Sequence, residues 1–143
     1  MVREELFCHR FWEDAQHLAF LSGNPNTPGV SVVITKVHYP SYAFDLPDNV
    51  LEALMVATKR VGKLLDSKLK DVGRTGLIME GFGVDHVHAK LFPMHGTAEM
   101  EWRPIMSDQQ VFFETYPGYL TSQESRRPPE KELAALAAHL RGE

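Results

Sequence analysis

Residues 84–93 read VDHVHAKLFP, a run in which apolar side chains alternate with polar, charged or aromatic ones. A period of two marks a strand lying on a core, because successive side chains point to opposite faces of a sheet. Val87, Ala89 and Leu91 share one face, and His86, His88, Lys90 and Phe92 share the other. The first set is the core face, so two imidazoles and an ammonium are expected together on the open side. Three cation-capable groups along about 13 Å of strand repel one another unless an anion sits among them. A phosphate suits them: one imidazole can attack phosphorus while its neighbours hold the oxygens. An imidazole, with a reference pKa of about 6.5, is a competent nucleophile near pH 7.

Outward from this strand, RTGLIMEGFG (74–83) reads as its partner, joined to it as a hairpin through Gly81 and Gly83. Before that the period changes. Val50, Leu51, Leu54, Met55, Ala57, Val61, Leu64, Leu65 and Leu69 recur at spacings of three and four, which predicts a helix over about 48–70. Asp45 or Asp48 is expected to cap its start, and DVG (71–73) to end it. HLAFLS (17–22) and VSVVIT (30–35) read as strands on either side of the turn-rich SGNPNTPG (22–29), with KVHYPSYAFDLP (36–47) an irregular connection. Residues 1–16, with Leu6, Phe7, Phe11 and Trp12 among charges, read as a short helix or a packed arm. Residues 94–118 are irregular and aromatic, and a last helix follows Pro129 and stops near Gly142. The order β-β-α-β-β-α predicts an α+β fold with an antiparallel sheet. Residues 1–143 are expected to form one domain, with a core over about 17–95 and a C-terminal extension over about 119–143.

The composition narrows the partners. The chain has 143 residues, 15 basic and 19 acidic, for a net charge of −4. That balance is unlike a domain built to track nucleic-acid phosphates. No run reaches the roughly 18 apolar residues that span a bilayer, and MVREELFCHRFWED is not a signal peptide. Cys8 is the single cysteine, which excludes an internal disulfide and a CxxC zinc knuckle. A cytoplasmic domain without cofactor is expected. His86, His88 and His95 have a spacing that metals use, but Lys90 sets a charge beside them and no carboxylate or thiolate completes the set, so no metal is expected.

The segment HVHAKLF (86–92) resembles the histidine-triad (HIT) motif, His-φ-His-φ-His-φ-φ, with Lys90 in the third place. TPGVSVVITKVHYPSYAFDLPDNVLEAL (27–54) is similar to that family's run in which Pro-Gly-His opens a strand ending in a basic residue and a histidine, ahead of a long helix. The resemblance covers about residues 17–95. It implies a HIT-like fold, with an antiparallel meander sheet packed with the long helix and a C-terminal helix, and a homodimer. It also implies hydrolysis or transfer at the phosphate of nucleotidyl compounds, of the dinucleoside polyphosphate or nucleoside phosphoramidate type.

By the same resemblance, His88 is the nucleophile, His86 orients it, and Lys90 contacts the scissile phosphate or leaving group. Ser22 stands where the family holds ribose with Asp or Asn, and Asn24 is a nearby substitute. Val30 replaces the histidine of Pro-Gly-His, and Phe82 and Gly83 stand where many members carry Gln and Ser or Thr toward phosphate. His95 is a further candidate, folding back as the missing acid. An ammonium, with a reference pKa near 10.4, is a poor proton donor, so a slow enzyme is expected. The alternative is a non-catalytic nucleotide or phosphate binder that kept the pocket. His38 reads as capping or packing at a strand end, Asp85 and Glu80 as solvated, and Trp102, Phe112, Phe113 and Tyr116 as core or dimer packing.

Overall fold

The structure, a computed structural model, describes residues 9–99 and 101–143; Leu6, Phe7 and Cys8 lie outside the described residues. Its elements are β1 (Arg10–Glu13), β2 (His17–Leu21), β3 (Ser31–Thr35), α1 (Asp48–Lys68), β4 (Val72–Ile78), β5 (His88–His95) and α2 (Glu130–Leu140). They divide into two compact units, one ending at Trp102 and the other running Arg103–Glu143.

The alternation in the histidine strand is realised on its core side: Val87 and Ala89 are fully buried and Leu91 nearly so. They join Ala19 and Val33 against the apolar face of α1, which contributes Leu54, Ala57, Val61 and Leu65. Each buried Leu or Val adds about 1.5–3 kcal/mol relative to leaving it in water, which is what holds helix to sheet. Neither Asp45 nor Asp48 caps α1. Pro47 occupies the N-cap without a side-chain bond, and Asp48 sits in the first turn, where its charge suits the helix dipole. The helix stops at Lys68, and DVG is divided between the connection and the entry to β4.

All five strands run antiparallel in the order β1-β2-β3-β5-β4. The expected arm at the N-terminus is, where described, a strand: β1 pairs with β2, setting Trp12 opposite Ala19. Four residues with two adjacent aromatics carry no period of their own, so the neighbouring strand decides their conformation. The meander runs through β1, β2 and β3. α1 then carries the chain past the next position, so that β5 rather than β4 pairs with β3. The histidine strand therefore has a ladder on both sides, with His88 opposite Ile34, and Lys90 opposite both Val32 and Ile78. β4 and β5 form the expected antiparallel pair, but residues 79–87 connect them rather than a tight glycine turn.

The second unit has an irregular stretch and α2. Val111 N–H donates to the Glu124 carbonyl (3.3 Å), and Phe113 meets Tyr119 edge-on. Pro129 caps α2 and Gly142, at φ 82°, follows it. No α2 residue is buried. Trp102, at the end of the first unit, and Phe112, Phe113 and Tyr116 in the second are exposed rather than part of a core. Among the described residues, no helix is long and apolar enough to cross a membrane.

Candidate active site

His88 opens β5, half-buried on the face turned away from α1. Its Nδ1 lies 2.7 Å from the His86 carbonyl oxygen. A carbonyl only accepts, so Nδ1 carries the hydrogen and donates it. The tautomer is fixed, and Nε2 holds the lone pair with no hydrogen-bond partner among the described residues. This is the protonation pattern an imidazole needs to attack an electrophile.

His86 differs from the expectation that strand parity gives. It is 1% exposed, not on the open face. β5 begins two residues later, and the irregular chain ahead of it folds the His86 ring inward. Its Nε2 donates to the Thr35 carbonyl at 2.8 Å, while Nδ1 lies 3.3 Å from His38 Nδ1. In the neutral ring Nδ1 is then an acceptor, so His38 Nδ1–H donates to it, and the two rings meet edge-on at 5.2 Å. The exposed His38 thus closes over a buried His86, whose own carbonyl fixes His88. His38, read as capping or packing at the strand end, lies just after β3 and packs on His86; the sequence reading did not name that partner, and its signal was the histidine closing the ITKVH run.

Lys90 is half-buried on the same face as His88, two residues along, with Nζ 5.9 Å from the centroid of the Phe92 ring. Among the described residues no carboxylate pairs with it. Its cross-strand neighbours Val32 and Ile78 offer no counter-charge. A nucleophilic lone pair and an uncompensated ammonium therefore stand side by side.

The HIT domain family matches residues 3–97. The chain belongs to the HIT family. Solved structures share this fold. A protein of Streptococcus mutans UA159 is 21% identical, with 99% of this chain and 80% of that one covered and a TM-score of 0.65. A hypothetical histidine triad nucleotide-binding protein from Sulfolobus tokodaii strain 7 is 22% identical over 97% and 84%, with a TM-score of 0.59. A HIT family hydrolase from Legionella pneumophila Philadelphia 1 is 26% identical over 73% and 94%, with a TM-score of 0.51.

Elsewhere in the HIT domain the expected residues are less closely gathered. Ser22, at the end of β2, is half-buried; its N–H donates to the Val30 carbonyl (2.8 Å) and its Oγ accepts from Asn24 N–H (3.4 Å). Both lie in the β2–β3 loop, at the Leu91 end of β5, roughly 10 Å of strand from His88. Val30 is 3% exposed and turned into the protein. Gly83 is exposed, with open space where a Cβ would stand. Asp85, read as solvated, accepts from Ser41 N–H at 2.9 Å and so ties the connection 79–87 to the chain after β3.

His95 does not come to His88. It closes β5 seven residues away, about 23 Å along the strand. Both its nitrogens are engaged, Nδ1 by Asp71 at 3.0 Å and Nε2 by the Pro28 carbonyl at 2.7 Å. Nor does it join His86 and His88 as a ligand set: among the described residues, no three His, Cys, Asp or Glu side chains converge to hold a metal ion.

Proposed function

We propose that this chain is a nucleotide-processing enzyme acting through His88 at the phosphate of nucleotidyl compounds, of the dinucleoside polyphosphate or nucleoside phosphoramidate type. The observation that carries the reading is the His88 ring, held at Nδ1 by the His86 carbonyl and unengaged at Nε2, beside Lys90. The Nε2 lone pair forms a bond to phosphorus as the bond to the leaving group breaks and that group departs with the electron pair. Water then attacks phosphorus, losing a proton, and the phosphorus–nitrogen bond breaks to restore the imidazole; another acceptor in place of water makes the reaction a transfer. His86 orients His88 through its carbonyl and is itself held by Thr35 and His38. Lys90 offsets charge on the phosphate oxygens. An anionic leaving group needs no proton from it, so polyphosphates should turn over faster than phosphoramidates. The reading also makes the protein a cytoplasmic homodimer that takes a small molecule and neither nucleic acid nor membrane; light scattering in solution tests the dimer.

Incubation with a panel of both substrate types, with product analysis and trapping of a phosphorus–histidine adduct at His88, tests the activity. No product and no adduct with any compound would reject it. Lys90→Met is expected to lower kcat/KM about 10- to 100-fold, the worth of a charge-assisted hydrogen bond of about 1.5–3 kcal/mol, as steady-state kinetics would show. Lys90→His should restore a proton donor and raise phosphoramidate hydrolysis.

The buried Val30 and the bare Gly83 favour one second reading, a non-catalytic nucleotide binder. It requires a nucleotide to raise the melting temperature without product, a ligand at about 100 times its Kd adding about 2.7 kcal/mol. A panel that gives neither shift nor product rejects both readings.

A further inference from the structure

Residues 23–28 form the outer part of the β2–β3 loop, between strands whose ends are closed by Ser22 N–H on the Val30 carbonyl. Among the described residues, one hydrogen bond ties this stretch to another element: His95 Nε2 to the Pro28 carbonyl, 2.7 Å. The other nitrogen of the ring, Nδ1, reaches both Asp71 oxygens, at 3.0 and 3.2 Å. A carbonyl and a carboxylate both accept, so the ring donates from both nitrogens and is an imidazolium. We propose that His95 is a positioning residue for the substrate, its doubly donating ring holding the loop of Ser22 and Asn24 to the end of β5 and releasing it on losing a proton. The link to substrate rests on the nucleotide reading given above.

The surroundings set the direction. Asp71, in the α1–β4 connection, is the charged group in contact with the ring; the β2–β3 loop offers only a carbonyl, and Gly96 N–H, beyond β5, faces Asp71 at 3.2 Å. The Pro28 carbonyl and the Asp71 carboxylate hold the imidazole above its usual 6.5, and His95 holds the Asp71 carboxyl below its usual 3.8. The contact is thus fully present below about pH 6.5 and lost as pH rises through the elevated value. A neutral ring keeps one hydrogen. The carboxylate is the stronger acceptor and retains it at Nδ1, which leaves the Nε2 lone pair facing the Pro28 carbonyl, and the loop comes free.

Two readouts test this. The peptide bond after Pro28 contains the Gly29 amide, so in a proton–nitrogen NMR titration from about pH 5 to pH 9 the Gly29 amide should move in step with the His95 ring, above 6.5. Asp71→Asn should shift both midpoints down together, His95→Ala should abolish the Gly29 transition, and His95→Arg, charged throughout, should keep the loop tied at every pH. A Gly29 amide that titrates out of step with His95 overturns the proposal.

The second readout is the affinity for AMP. In the wild type the Kd should rise about threefold to tenfold across that transition, as for loss of one hydrogen bond. His95→Arg should remove this rise, which separates His95 from the histidines of the site. Turnover should show the change in KM, with kcat altered less than about twofold. Binding that ignores His95 overturns the positioning role alone. A wild-type protein that binds no nucleotide at any pH overturns the nucleotide reading and the positioning role with it.

Discussion

Replacing His88 by alanine is expected to lower kcat/KM on any nucleotide substrate by about 10⁴-fold or more, the scale of losing a covalent nucleophile. The loss should fall on kcat. In the proposed reaction His88 would supply a bond to phosphorus in the transition state, whereas binding would rest on Lys90 and the loop at Ser22, so nucleotide Kd should stay within about threefold. His88→Gln should be equally inactive: it fills the half-buried position and can donate to the His86 carbonyl, but it offers no imidazole lone pair. Both variants should melt close to the wild type, because the ring is half-exposed and makes a single hydrogen bond among the described residues. Steady-state kinetics with thermal melting of each variant is the measurement. Turnover unchanged in His88→Ala on every nucleotide tested would sink the assignment.

What could be read from the sequence was the periodic part of the molecule. Val87, Ala89 and Leu91 announce their core face by alternation, and α1 announces itself by its spacing of three and four, because burial on one face imposes those periods directly. The site is only half periodic. Parity puts His86 beside His88, yet the strand starts at His88, and nothing local marks that boundary. The groups that turn His86 inward are Thr35 and His38, 51 and 48 residues away in the chain. They become neighbours only because β5 inserts between β3 and β4, and strand order is not written in any single strand. The same holds for His95. Its sequence position suggested a chain folding back after Pro93, but Pro93 lies within β5, which continues straight to His95. β1 was illegible for a third reason: its four residues span two periods of alternation, with two adjacent aromatics at the centre, and its pairing with β2 is what makes it a strand.

The geometry at His86 and His38 depends on a close approach that one glycine permits, and this gives the largest effect expected on stability. Gly81 lies in the connection 79–87 at φ 73°, and a Cβ there would stand 2.6 Å from the Ser41 carbonyl oxygen and 3.1 Å from its carbon. Around that contact the two segments are pinned by Ser41 Oγ–H on the Gly81 carbonyl (2.6 Å), Ser41 N–H on Asp85 (2.9 Å) and Val87 N–H on the Tyr39 carbonyl (3.0 Å). Gly81→Ala should therefore cost about 1–2 kcal/mol for a left-handed backbone with a side chain and about 1–3 kcal/mol for the overlap with backbone that cannot step aside. A loss of about 2–5 kcal/mol is expected in denaturant unfolding. Gly83→Ala, two residues on, is the control: its Cβ would meet nothing within 4 Å, and its cost should stay within about 0.5 kcal/mol. The two segments forced apart at Gly81 are those that carry His38 and His86. Folded Gly81→Ala should accordingly lose kcat as well, because the 3.3 Å contact between those rings, and through His86 the carbonyl that fixes the His88 tautomer, would shift. If Gly81→Ala and Gly83→Ala unfold alike, the packing of residues 79–87 on the chain after β3 does not set the site.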